Sequence, residues 1–76
     1  MTTEATLKAL RQEFPDLTFR LSRRPFVGYP AVVLNGRPVH MHGGGDDWAA
    51  IRPIPPHDPI RATTAPDLVR ALLETL

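Results

Sequence analysis

Leu7, Leu10 and Phe14 fall on one stripe of a helical period while Glu4, Lys8, Arg11 and Gln12 fall on the other, which predicts an amphipathic helix over residues 3–14. Thr2 or Thr3 stands where a cap would start it, and Pro15 stops it. The period then drops to two: Leu17, Phe19 and Leu21 alternate with Thr18, Arg20 and Ser22, predicting a strand over 17–23 with one buried face. A second strand is predicted at 29–34. It runs into Asn35-Gly36, the dipeptide favoured in a two-residue hairpin because both positions accept positive φ, and a third strand returns over 37–42. A fourth, at 48–54, is shortened by Pro53, Pro55 and Pro56 and belongs at an edge. Gly43 to Asp47 is expected to be a loop, and residues 55–63 an extended linker. Thr64 then caps a second helix over 65–75, with Asp67 in the reciprocal position of a capping box. Leu68, Leu72 and Leu76 form its apolar stripe, widened by Val69, Ala71 and Leu73.

The hairpin turn fixes a register. Leu34 faces Arg37, Val33 faces Pro38, Val32 faces Val39, Ala31 faces His40, Pro30 faces Met41 and Tyr29 faces His42. One face therefore gathers Val32, Leu34, Val39 and Met41 and is the core side. The other gathers Tyr29, Ala31, Val33, Pro38, His40 and His42, and is left open.

The order helix, three or four antiparallel strands, helix, with short connections, gives an α+β class: a two-layer αβββα domain, or αββββα with an irregular edge, with both helices on one sheet face. All 76 residues fit one domain. In topology this order resembles that of double-stranded-RNA-binding domains. Those domains begin their second helix with a lysine-rich cluster, where this chain has Thr64-Ala65-Pro66-Asp67, and Arg24 to Pro30 does not match their Gly-Pro-x-His type loop. The resemblance thus implies architecture alone, and no functional residue carries over.

A chain of 76 residues buries only about 60% of its unfolded surface, so its core is small. Hydrophobic residues at 42% and charged residues at 22% exclude a wholly disordered chain. The absence of cysteine removes disulfides, thiolate metal sites and a cysteine nucleophile, and suits a cytoplasmic protein. No apolar run is long enough to span a membrane, and no secretory signal is read at the N-terminus. Residues 1–38 carry six basic and three acidic groups and residues 39–76 three and five, so the first half is positive and the second negative. Eight of the nine basic residues are arginine, whose planar fork suits phosphates and carboxylates.

Candidate chemistry gathers on the open face. His40-x-His42 offers two imidazoles to a metal, with Asp46, Asp47 or His57 as a third ligand, but nothing in the sequence supplies a second shell, and solvent-facing histidines are the simpler reading. The Gly43-Gly44-Gly45 run lacks the lysine or serine and the following helix of a phosphate loop, and two aspartates follow it. Ser22 is able to meet His40 across the sheet, yet no oxyanion hole or orienting acid is identifiable, so no enzyme is expected and no cofactor is implied.

Arg20, Arg23, Arg24, Tyr29, His40, His42, Trp48 and Arg52 are the candidate binding residues, with Arg37 joining the arginines. If Trp48 and Arg52 share the face opposite Ala49 and Ile51, the open side carries an aromatic anchor; if Trp48 turns inward, it becomes the largest core residue. The expected function is a non-enzymatic binding module that meets a protein partner, or a second copy as a homodimer, through the open face and its edge. The alternatives are nucleic-acid binding through Arg20, Arg23, Arg24, Arg37 and Arg52, and a small metal-binding domain built on His40 and His42.

Overall fold

The computed structural model describes residues 3–22 and 28–75. Helix α1 spans Thr3–Glu13 and α2 spans Ala65–Glu74; between them lie β1 (Thr18–Leu21), β2 (Pro30–Leu34), β3 (Arg37–His40), β4 (His42–Gly44), β5 (Asp47–Ile51) and β6 (Pro59–Ala62). The class is α+β, as expected, but the strands form two antiparallel sheets of three, β1-β2-β3 and β4-β5-β6, rather than one. The three-strand topology that suggested double-stranded-RNA-binding domains is therefore not the one formed.

The hairpin forms in the predicted register, Leu34 opposite Arg37 through Ala31 opposite His40. Asn35 and Gly36 take φ of 52° and 76°, the pair of positive values that the two-residue turn needs. Met41 still donates its N–H to the Pro30 carbonyl at 2.9 Å. At His42 the chain leaves the first sheet and pairs instead with Ala49 of the second. The predicted strand 37–42 is thus the first part of a longer bent segment; on the β1 side of β2, Tyr29 accepts the Ser22 N–H at 2.7 Å.

Two loop expectations are corrected. The Gly43–Asp47 stretch is a second hairpin: Gly44 pairs with Asp47 around Gly45-Asp46, and Gly45 has the φ of 59° that a II′ turn asks of its first central residue. The expected linker over 55–63 contains β6. Its proline is tolerated because Pro59 opens an edge strand, while Ile60 and Ala62 alternate with Arg61 as a half-buried strand requires. The prolines do hold residues 53–58 in a loop, closed by Arg52 N–H to the Asp58 carbonyl at 3.1 Å.

One core joins everything. Leu7 and Leu10 of α1 and Leu68, Val69 and Leu72 of α2 pack with Phe19, Val32, Leu34, Val39, Met41, Trp48 and Ala50 from both sheets. Along the bent segment Val39 and Met41 point inward while His40 and His42 point outward, so the alternation runs unbroken across the change of sheet. Thr64 Oγ1 accepts the Asp67 N–H at 3.1 Å, the forward half of the capping box. The Asp67 carboxylate is taken instead by Arg70 Nη1 at 2.6 Å. Leu73, expected to widen the stripe, is exposed. Thr3 uses its hydroxyl on the Gly28 carbonyl, at 2.6 Å; Thr2 and Leu76 lie outside the described residues.

Candidate functional site

The ladders decide which side chains share the face away from the helices. On the first sheet Arg20, Ala31 and His40 form one outward row and Thr18, Val33 and Pro38 the next. On the second, His42, Ala49 and Arg61 form a row beside Ile51 and Pro59. His40 and His42 do lie on one face, as their spacing predicts.

Between the sheets this face opens into a cleft of about 250 Å³. Pro38, His40 and His42 stand on one side and Ile51 and Pro53 on the other, with Arg37 and Val39 completing it. The β4–β5 register explains why the strands part here. His42 opposite Ala49 is the last pair formed. Continued by the same register, the ladder would set His40 opposite Ile51 and Pro38 opposite Pro53, two prolines with no N–H to give. β3 keeps its bonds to β2, β5 keeps its bonds to β6, and the two facing edges separate.

His40 Nδ1 lies 2.9 Å from Ser22 Oγ, the contact the alternation of residues 17–22 allows. Ala31, opposite His40 and Arg20 on the same face, is fully buried, so the outer surface is closed at its centre and open at the cleft. Among the described residues no three histidine or carboxylate side chains converge as a metal site would need. Asp47 pairs with Arg61 at 3.2 Å, and His57 Nδ1 donates to the Arg52 carbonyl at 2.9 Å.

Trp48 turns inward and is only 9% exposed. Of the two orientations that the sequence leaves open, β5 takes the one with Trp48 in the core: Ala49 and Ile51 face outward, and Trp48 and Ala50 face inward. The second hairpin imposes this, because Gly43 pairs with Trp48 and shares the inward side of Met41. Gly45-Asp46, read as a turn, was the signal in the sequence that would have found it.

The described arginines of the candidate set take different registers. Arg20 is exposed on the outer face, Arg37 lies at the hairpin end on the inward register, and Arg52 leads into the 53–58 loop with its Nε shielded from water and unbonded among the described residues. Arg23 and Arg24 lie outside the described residues. Arg61, which the linker reading overlooked, projects from the outer face but is partnered by Asp47. Tyr29 is 40% exposed, at the end of β2.

Comparison of the chain with protein-family models, with curated proteins and with solved structures finds no match in any of the three. No helix among the described residues is long and apolar enough to cross a membrane.

Proposed function

We propose that the protein is a small non-enzymatic binding module that meets a protein partner, or a second copy of itself, at the outer face of its sheets, in the cytoplasm. The observation that carries this reading is the cleft between β3 and β5, where Ile51 stands 51% exposed beside His40 and His42. An isoleucine held open at a strand end, next to two half-buried imidazoles and two prolines, offers an apolar contact with polar groups to orient it.

Arg20 lies on the outward register and Arg37 on the inward one, which favours this reading over nucleic acid, which asks for a continuous basic footprint. A photo-crosslinking residue at Ile51 or Pro38, introduced in the source cells, should yield a discrete protein adduct, either to a second copy or to another chain. The reading fails if neither position gives an adduct, or if the purified chain binds mixed DNA or RNA with an affinity that falls steeply between low and moderate salt.

A further inference from the structure

A second opening lies on the helix side of the sheet and owes its existence to the glycine run. Gly43 stands opposite Trp48 in the β4–β5 ladder, so the indole has no side chain beside it across that strand pair. Gly44 and Gly45 continue the gap, and a Cβ placed on either would meet no atom within 4 Å. The gap is bounded by α1 at Thr6 and Ala9, by the start of α2 at Ala65 and Pro66, and by Tyr29. The open pocket so bounded measures about 530 Å³. Sites for small organic molecules run from about 300 to 1,000 Å³.

Its chemistry is specific in one respect: none of the described residues that line it carries a charge. Trp48 and Tyr29 give it two aromatic rings. Two of its hydroxyls already serve the fold, Thr3 on the Gly28 carbonyl at 2.6 Å and Thr64 on the Asp67 N–H at 3.1 Å. An ion entering would lose hydration without a countercharge, whereas a flat apolar ring would gain contact with the indole and phenol. The walls are also fixed in advance. Gly43 is held at a φ of 139° with its backbone against Asp47 and Trp48, and the Thr3 bond ties α1 to the chain just before Tyr29.

We propose that this pocket binds a small uncharged aromatic molecule against Trp48. The site is separate from the outer-face cleft, being formed by the helices and the inward side of β4 and β5, and it stands or falls independently of the function proposed above.

The test uses two fluorescent probes with the same rings. N-phenyl-1-naphthylamine is neutral, and 8-anilinonaphthalene-1-sulfonate adds a sulfonate. The neutral probe should bind the purified chain saturably at one site, with Trp48 emission falling in step by energy transfer. It should bind at least about tenfold more tightly than the sulfonated probe. Ala9→Phe, on an exposed helix position, and Gly44→Val, where a side chain meets no atom, should each weaken the neutral probe by about tenfold or more while leaving the thermal midpoint near that of the parent chain. Absence of saturable binding, equal affinity for both probes, or parent-like binding by both variants would overturn the proposal. If Gly44→Val does not fold, Ala9→Phe decides alone.

Discussion

Gly43 and Trp48 face each other in the β4–β5 ladder, and the smallest residue of the pair makes the orientation of the largest possible. Gly43 has a φ of 139°, and a Cβ on it would overlap the Asp47 carbonyl oxygen and lie 2.9 Å from Trp48 Cα. Both the backbone conformation and the close approach demand glycine.

Gly43→Ala is therefore expected to destabilise the fold by about 2 kcal/mol or more. Gly44→Ala, one residue on, meets open space and should change stability by less than about 1 kcal/mol. Urea unfolding of the two variants measures the contrast. Equal effects would refute the second hairpin.

Trp48 is the single tryptophan and sits at the junction of both sheets and α2. Its emission should be blue-shifted and poorly quenched by iodide in the native chain, and should move red on unfolding. Trp48→Ala should cost about 3–5 kcal/mol, the range for deleting a buried large aromatic. A solvent-like emission maximum in the folded protein would show that the indole faces outward after all.

The α2 cap is one-sided, with Thr64 serving the Asp67 N–H while the Asp67 carboxylate serves Arg70. Thr64→Ala should thus lose about 1 kcal/mol by thermal or urea unfolding. Asp67→Asn keeps the backbone N–H that Thr64 accepts and should lose less.

Arg70 joins the helices by reaching Glu13 as well as Asp67, and its guanidinium lies 5.6 Å from the centroid of the Phe14 ring. These ion pairs are about half exposed, so water and salt screen them. Arg70→Met should cost less than about 1 kcal/mol. Any loss should shrink further when the melts are repeated in high salt.

The parts of the fold that were readable from the chain are those set by local chemistry. Asn35-Gly36 fixes the first hairpin because its turn type needs positive φ at two adjacent positions, and a period of two then assigns Val32, Val39, His40 and His42 to their faces. Leu7, Leu10, Leu68 and Leu72 follow from helical spacing alone. The candidate site was half legible on the same grounds: the histidines were placed, but the cleft beside them was not. Its opposite wall, Ile51 and Pro53, depends on which way β5 faces, and the sequence leaves both orientations open.

The reason is the glycine run. Three residues without side chains carry no alternation, so a loop and a hairpin around Gly45-Asp46 read alike until a partner strand is present. β6 was hidden for a related reason, since proline density argues against a ladder wherever it occurs, and only an edge position next to β5 excuses Pro59.

The sequence by itself determined the elements whose geometry is written within a few residues: two amphipathic helices, the Thr64 cap, and one hairpin with its register. Tertiary structure decided the division into two sheets at Met41, the inward turn of Trp48, and the cleft between Pro38 and Pro53. Each of these depends on residues far apart in the chain competing for the same hydrogen-bonding edge or the same core volume. No local pattern encodes the outcome of that competition.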